Sequence, residues 1–203
     1  KMKLDQHGIA LKSNSNCAIT DLSISNVPLQ SAISSLTAAI ANFTRGLRIF
    51  RLNNCSLKSE HIVSLIKDGF MNNYPMALTL KELDLSGNRL DEEGSEILHK
   101  FLQRIGSFSP LQKLALRKCN LSFILISRSI HLFEELSDLD ISENPMNDAS
   151  IQILCTAFER AVKLSSIEIA GCGLKQMAIE SFCNSFISNN FSELKLNLSN
   201  NPF

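Results

Sequence analysis

The chain has 203 residues, in which 20 lysines and arginines balance 20 aspartates and glutamates, so the formal net charge is zero. Such a chain has no long-range field to attract nucleic acid or an anionic membrane, and we expect neither as a partner. No apolar stretch reaches the roughly 20 residues of a bilayer-spanning helix, so direct membrane insertion is not expected. Six cysteines are too few for a disulfide scaffold, and none has metal-ligand spacing. We therefore predict a cytoplasmic protein without cofactor or metal.

An internal repeat dominates the sequence. Residues 80–90 read L-x-x-L-x-L-x-x-N-x-L, and the same spacing recurs with other apolar residues in place of leucine. The copies begin near residues 19, 47, 80, 111, 136, 164 and 191. This pattern is the signature of a leucine-rich repeat. We predict one domain over residues 1–203 with about seven repeats, forming part of a longer solenoid.

Each copy predicts a short strand, because its first, fourth and sixth residues are apolar and would turn into the solenoid. Between the copies, apolar residues recur at helical spacing over 62–70, 97–105, 151–158 and 179–187. The N-caps of three such helices are predicted at Ser59, Asp91 and Asp148. The predicted fold class is α/β: a right-handed horseshoe with parallel strands on the concave face and helices on the convex face.

The ninth position of the repeat alternates between two residue types. The residues are Cys55, Asn88, Cys119, Asn144, Cys172 and Asn201. A side-chain amide at this point can donate to unpaired carbonyls of the turn, whereas a thiol donates weakly, so we expect the asparagines to hold their turns better. The long repeats and this alternation resemble the ribonuclease-inhibitor-like class of leucine-rich repeats. The resemblance implies the solenoid fold but does not specify a partner.

A finer resemblance is to the CARMIL family of actin capping-protein regulators. Residues 136–144 read L-S-D-L-D-I-S-E-N and are similar to its repeats, and 191–203 is similar to a strand segment found there. This resemblance implies a non-catalytic protein–protein interaction scaffold linked to actin-cytoskeleton and capping-protein regulation. Two alternatives stay open: a GTPase-activating regulator that resembles the Ran activator, and the leucine-rich sensing region of an innate-immune receptor.

The third, fifth and seventh residues of each copy should point off the concave face, and their charges alternate in sign. The candidate partner-binding residues are Arg51, Asp84, Lys113, Arg117, Asp138, Asp140 and Glu168. The competing interpretation is a solvated face, in which Arg51 pairs with Asp84, and Lys113 pairs with Glu82 and Asp138. The absence of aromatic residues from these positions argues against a tight protein interface there.

Segment 122–133 is a second candidate surface, because its apolar residues spread beyond one helical stripe. It would be either an exposed patch for a partner or a homodimer, or a compressed helix packed on both sides. We favour the packed helix.

Catalysis is not expected. His61 and His99 are predicted on helix exteriors, and Asp138 and Asp140 fill ordinary repeat positions. Cys155 and Cys183 are predicted on core-facing stripes, and only Cys17 has no structural role in the repeat.

Overall fold

The computed structural model describes residues 19–161, 163–188 and 193–202, so Cys17 lies outside the described residues. Seven parallel strands within these ranges form one open sheet, in which each strand pairs with the next along the chain. The strands are β1 (Asp21–Ser25), β2 (Ile49–Asn53), β3 (Glu82–Asp84), β4 (Lys113–Ala115), β5 (Asp138–Asp140), β6 (Ser166–Glu168) and β7 (Lys195–Asn197). The seven predicted strands and their parallel order are confirmed.

A helical segment connects each strand to the next, as in other parallel sheets. The α-helices are α1 (Ile33–Ala41), α2 (Ser59–Ser64), α3 (Tyr74–Thr79), α4 (Asp91–Ile105), α5 (Phe123–Ile130), α6 (Asp148–Phe158) and α7 (Gln176–Ser188). A π-helical turn (Leu65–Phe70) follows α2, and a 3₁₀ turn (Gly106–Phe108) follows α4. None of the helices in the described ranges is long and apolar enough to cross a bilayer.

The strand register stacks the repeats position on position. Leu83, the fourth residue of its repeat, pairs with Phe50 on one side and with Leu114 on the other. All three side chains are fully buried. On the helix side, Phe70 joins the repeats, since its ring centroid lies 5.0 Å from that of Phe50 and 5.2 Å from that of Phe101. The alternation of apolar and polar residues along each strand therefore places the hydrophobic core between the sheet and the helices.

The asparagines at the ninth position bond two repeats at once, and Asn88 and Asn144 are buried while Asn201 is partly buried. The Nδ2 of Asn88 donates to the carbonyls of Leu85 in its own turn (2.9 Å) and Leu52 in the preceding repeat (2.6 Å). Its Oδ1 accepts from the backbone N–H groups of Cys55 and Leu57, both at 3.1 Å. Asn144 and Asn201 repeat this arrangement against Cys119 and Cys172.

The cysteines of the ninth position donate weakly through their thiols. The Sγ of Cys119 lies 3.3 Å from the carbonyl oxygens of both Leu85 and Arg117. Burial raises the pKa of Cys119 to about 12 and that of Cys172 to about 11, so both thiols keep their proton at neutral pH. Each asparagine side chain thus makes stronger and more numerous hydrogen bonds than a cysteine thiol, and the expectation that asparagine holds the turn better stays a prediction.

The predicted helix caps are displaced by one residue. Asp91 and Asp148 are the first residues of α4 and α6, and the side chain of Asn147 caps α6 by accepting from the N–H of Ser150 at 2.9 Å. Ser59 begins α2, and its Oγ accepts from the N–H of Gly94 in the next repeat at 2.8 Å. The hydroxyl of Ser59 therefore connects two neighbouring repeats, whereas the amide of Asn147 bonds within its own repeat.

Helix α7 buries less of its predicted stripe than expected. Phe182 is buried, whereas Cys183 is exposed and Ile187 is 81% exposed, so the prediction of a core-facing Cys183 is wrong. The reason is that α7 packs on α6 along one flank only, and no other described helix covers its second flank.

The segment 122–133 is packed, as favoured. Helix α5 contacts α4 on one side and α6 on the other, and Phe123, Ile126, Ile130 and Phe133 are buried. The alternative interpretation, an exposed apolar patch, is therefore not needed to explain the apolar residues of this segment.

Neither histidine predicted on a helix exterior is a plain surface residue. The side chain of His61 is 16% exposed, and its Nδ1 accepts from the N–H of Lys58 at 3.1 Å, at the start of α2. The Nδ1 of His99 lies 2.6 Å from the buried Oγ of Ser129. Burial lowers the pKa of His99, and the charge of Arg128 lowers it further. Their local hydrogen bonds give both rings a structural role.

Candidate functional site: the concave face

The concave face presents the third, fifth and seventh residues of the repeats, as predicted. Along β3 the order is half-buried Glu82, buried Leu83 and half-buried Asp84, and β5 shows the same pattern. Because side chains alternate along a strand, every second residue is available to solvent or a partner. All seven predicted partner-binding residues belong to this face.

The ionic contacts on this face differ from the predicted pairs. Arg51 is opposite Asp84 in the register, yet its guanidinium bonds Glu82 with two contacts, at 2.7 and 2.6 Å. Asp84 instead accepts from the side-chain amide of Asn53 at 2.5 Å and from the N–H of Ser86 at 2.9 Å. The pairing of Arg51 with Asp84 is therefore wrong. The diagonal partner is preferred because the longer glutamate reaches the guanidinium, while short Asp84 is held by its own turn.

Lys113 takes only one of its two predicted partners. Its Nζ lies 3.7 Å from the Oε1 of Glu82, whereas Asp138, its register neighbour, accepts from the hydroxyl of Ser137 at 2.6 Å. Glu82 thus lies between two cations. The hydrogen bond from Arg51 is the largest influence on its carboxyl group and lowers its pKa, although burial opposes the shift. This carboxylate therefore keeps its charge to a lower pH than an ordinary glutamate does.

The carboxyl ends of the middle strands surround a groove of about 470 Å³. Four of the predicted residues line it: Asp84, Lys113, Arg117 and Asp140. Arg51, Asp138 and Glu168 belong to the same face but do not line this groove. Cations and carboxylates are mixed along its walls, so it suits a partner with charges of both signs.

The eighth residue of each repeat contributes to the groove and was missed in the sequence. Asn54, Gly87, Lys118 and Glu143 all line it, and each has a positive φ, between 50° and 72°. In this left-handed conformation the chain turns out of the strand, and the eighth residue itself lies at the rim of the face. The signal that could have found them is the recurrent Asn or Gly at this position, since both residues tolerate a positive φ.

Among these residues, Glu143 forms an ion pair with Arg117. Its carboxylate bonds Arg117, the Nε of which donates at 3.0 Å. That hydrogen bond lowers the pKa of Glu143 and raises the pKa of Arg117. Both side chains are more than a third exposed, so the pair is open to solvent and to a partner. Its net contribution to folding stability is about 0–1 kcal/mol.

Large exposed apolar side chains lie away from the concave strands. Tyr74 is 69% exposed and Leu78 is 49% exposed on α3, and Phe108 is 80% exposed after α4. They occupy the helix-to-strand connections of the two longest repeats, which begin at 47 and 80. Aromatic anchors of the kind found in tight interfaces are therefore available at one edge of the solenoid and not in the groove.

Residues 79–101 match the family description "Leucine Rich Repeat". The ribonuclease inhibitor of Sus scrofa is 32% identical over 136 residues, which cover 61% of this chain and 27% of that protein. The ribonuclease inhibitor of Mus musculus is 25% identical over 191 residues, covering 92% of this chain and 40% of that protein. This chain is a ribonuclease-inhibitor-like leucine-rich repeat protein.

Other relatives share the same leucine-rich repeats. NACHT, LRR and PYD domains-containing protein 3 of Mus musculus is 31% identical over 136 residues, covering 66% of this chain and 12% of that protein. The chain thus spans only about a quarter, or less, of the first two curated relatives. Among solved structures, the tropomodulin C-terminal domain of Caenorhabditis elegans has a TM-score of 0.48 at 12% identity, covering 92% of this chain and 93% of that one. At that level it carries no argument about function.

The described part of this leucine-rich repeat chain contains no group of three or more His, Cys, Asp or Glu side chains that could hold a metal ion. Asp138 and Asp140 are held by local hydrogen bonds, from the Ser137 hydroxyl at 2.6 Å and from the Ser142 N–H at 3.0 Å. The arrangement that the structure does offer is a polar groove on a rigid sheet, which is suited to binding.

Proposed function

We propose that this chain is a non-catalytic protein-binding scaffold whose concave groove takes a partner segment with charges of both signs. The observation that carries the proposal is the groove itself, in which Lys113 and Arg117 lie beside Asp84 and Asp140. Mixed charges fix the orientation of a partner and add specificity more than affinity. The family supports the coarser part of the proposal, since one relative is by its name an inhibitor of ribonuclease.

The identity of the partner is a separate question from the binding function, and it rests on sequence resemblances. The link to actin-capping regulation is a hypothesis from the CARMIL-like segments 136–144 and 191–203, and the likeness to the Ran activator stays a prediction. Leucine-rich regions of NACHT, LRR and PYD domains-containing proteins are also among the relatives, which favours the sensing region of such a receptor as a second candidate. A cytoplasmic location and a homodimer remain predictions of the sequence.

A capture experiment with matched variants tests the proposal. The double variant Lys113→Gln/Arg117→Gln removes two cations from the groove, and it breaks the exposed ion pair of Arg117 with Glu143 and the longer contact of Lys113 with Glu82. The control Lys100→Gln/Arg104→Gln removes two cations from α4 and also breaks one exposed ion pair, that of Lys100 with Glu96. Purified ribonuclease, actin-capping protein and a NACHT domain are passed over each immobilised chain, and retention is measured by surface plasmon resonance.

We expect one of these proteins to bind the unchanged chain and the control, and to bind the groove variant at least about tenfold more weakly. Equal loss in both variants would show a nonspecific effect of net charge and contradict the groove as the binding site. GTP turnover by a small GTPase, measured with and without the added chain, provides a separate comparison. Accelerated turnover would favour the Ran-activator alternative over the scaffold.

A further inference from the structure

A second hollow lies beside the concave groove, where the chain turns out of the strands. This outer hollow has a volume of about 390 Å³, and Arg89, Asn120 and Pro145 are among the residues that line it. Four residues line both the outer hollow and the groove, and they form a ridge between the two: Asn54, Gly87, Lys118 and Glu143. The surface available to a partner therefore continues from the groove over this ridge.

The ridge consists of the eighth residues of four successive repeats. The eighth residue has a positive φ in all seven copies, and five of the copies have asparagine or glycine there: Asn26, Asn54, Gly87, Gly171 and Asn200. These two residue types tolerate the left-handed conformation, whereas a longer side chain is strained in it. Lys118 and Glu143 are the two exceptions, with φ of 53° and 56°. They belong to neighbouring repeats, and both lie on the ridge.

Contacts within the chain account for Glu143 but not for Lys118. The carboxylate of Glu143 accepts from the Nε of Arg117 at 3.0 Å. The side chain of Lys118 is exposed, and its ammonium group has no hydrogen bond or ion pair within the part of the chain that the structure describes. An exposed lysine without a partner is ordinary, but this one occupies a backbone position that favours asparagine or glycine. Departures from local preference that the fold does not explain are typical of functional sites.

The charges around the ridge indicate which ligand group Lys118 would take. Arg89 pairs with Asp91 at 2.8 Å, and Arg117 pairs with Glu143. Each of these guanidinium groups therefore has its own carboxylate. Lys118 has none, so it is available to a carboxylate of a partner.

The ridge is lowest beside Lys118. Gly87 has no side chain, and a Cβ added there would lie 1.9 Å from the Oδ1 of Asn54. The N–H of Gly87 donates to the carbonyl of Arg117 at 2.8 Å, so Lys118 follows directly beside it. We propose that an extended segment of the protein partner runs from the groove over Gly87 into the outer hollow, with an aspartate or glutamate carboxylate bonded to Lys118. This inference rests on the proposed binding function and adds an acidic side chain to the description of the partner.

The experiment is an NMR titration of the full chain with capped heptapeptides of alternating serine and glycine, whose central residue is glutamate, glutamine or lysine. We expect the amide resonances of Gly87 and Lys118 to shift saturably with the glutamate peptide. The glutamine peptide should bind about threefold more weakly, which is the contribution of an exposed ion pair, and the lysine peptide more weakly still. Shifts that do not saturate, or equal affinities for glutamate and glutamine, would overturn the proposal.

Lys118→Asn introduces the residue that other repeats have at this position. It should reduce the affinity of the glutamate peptide to that of the glutamine peptide and leave the affinity of the glutamine peptide unchanged. The melting temperature should rise by about 1–2 °C, because the backbone strain is relieved. The control is Lys81→Asn, which should change neither quantity, since Lys81 is exposed, has no positive φ and lines neither the groove nor the outer hollow. An equal loss for both peptides, or a lower melting temperature, in Lys118→Asn would contradict the inference.

The failure of this inference is distinguishable from the failure of the proposed function. A partner protein that is lost by Lys113→Gln/Arg117→Gln but retained equally by Lys118→Asn would keep the groove as the binding site and overturn the crossing of the ridge. The opposite result would keep the contact with Lys118 and overturn the groove. The peptide titration decides the inference even where no protein is retained.

Discussion

Two polar networks lie a few residues apart along the solenoid, and they differ in burial and in the groups that they bond. The turn network is built from Asn88, Asn144 and Asn201, and its amides bond backbone groups of two repeats. The concave network is built from charged side chains such as Arg117 and Glu143 that are more than a third exposed. Buried hydrogen bonds are costly to break, while exposed ion pairs contribute little. The repeat thus separates the groups that hold the fold from those available to a partner.

The largest expected effect is in the turn network. Asn88→Ala removes both the donor to two carbonyls and the acceptor for two N–H groups, all of which stay buried. We expect a loss of about 3–5 kcal/mol in the free energy of unfolding, measured by urea denaturation. The exposed Asn72→Ala is the control and should change it by less than about 0.5 kcal/mol. A small loss at Asn88 would mean that water replaces the amide.

The cysteine turns should be less sensitive. Cys119→Ala removes a weak donor and leaves a small cavity, while the N–H groups of its turn keep the Oδ1 of Asn144 as acceptor. The expected loss is about 1–2 kcal/mol in the same denaturation experiment. The exposed Cys183→Ala should have no measurable effect. A Cys119 variant as unstable as Asn88→Ala would contradict the division between the two turn types.

Glu82 is the member of the concave network most expected to affect stability. Its pKa is lowered in the folded protein, chiefly by the hydrogen bond from Arg51. The contribution is therefore present above the unfolded pKa of about 4.3 and is lost as the pH falls through the folded value. We expect the chain to be more stable than Glu82→Gln by about 1 kcal/mol at pH 6. This difference should shrink as the pH falls below the unfolded value, in thermal unfolding followed by circular dichroism. Glu134→Gln, an exposed change, controls for the loss of a carboxylate.

The smallest expected effect lies where the two networks meet. Lys118 lines the groove and has a φ of 53°, a conformation that costs a non-glycine residue about 1–2 kcal/mol. Lys118→Gly should raise the free energy of unfolding by about 0.5 kcal/mol, since the greater freedom of glycine when unfolded offsets part of the gain. The reverse change, Gly171→Ala at φ +65°, should lower it by a similar amount, because an added Cβ meets nothing closer than 3.5 Å. A rise in both variants would contradict the role of the left-handed turn.

The sequence was most informative about positions that have the same structural role in every copy of the repeat. The spacing of residues 80–90 predicts the strand register, because a slip by one residue would turn every leucine to solvent. It also predicts which side chains occupy the concave face. Local features with no periodic constraint were less predictable, and Asn147 caps α6 where Asp148 was expected.

Contacts that depend on side-chain reach or on a neighbouring helix could not be read from spacing. Arg51 bonds Glu82 and not its register partner, because Asp84 is already held by Asn53 and its own turn. Cys183 has the helical spacing of a buried residue but is exposed, since the described structure has no helix on that flank of α7. That the concave residues contact a protein partner stays a prediction.

Each asparagine of the turn network bonds the repeat before it, and this limits how the solenoid can gain or lose repeats. Asn144 supplies the acceptor for backbone groups of the cysteine repeat before it, so the smallest segment with a complete set of turn hydrogen bonds is two repeats long. Duplicating a single repeat would put two cysteines or two asparagines in succession. With two successive cysteines, the amides of the first turn would lose the side-chain oxygen that accepts from them, and the backbone carbonyl of the second cysteine would remain as an acceptor, as it is for Leu90 and Met146. We expect viable duplications and deletions in this solenoid to occur in pairs of repeats.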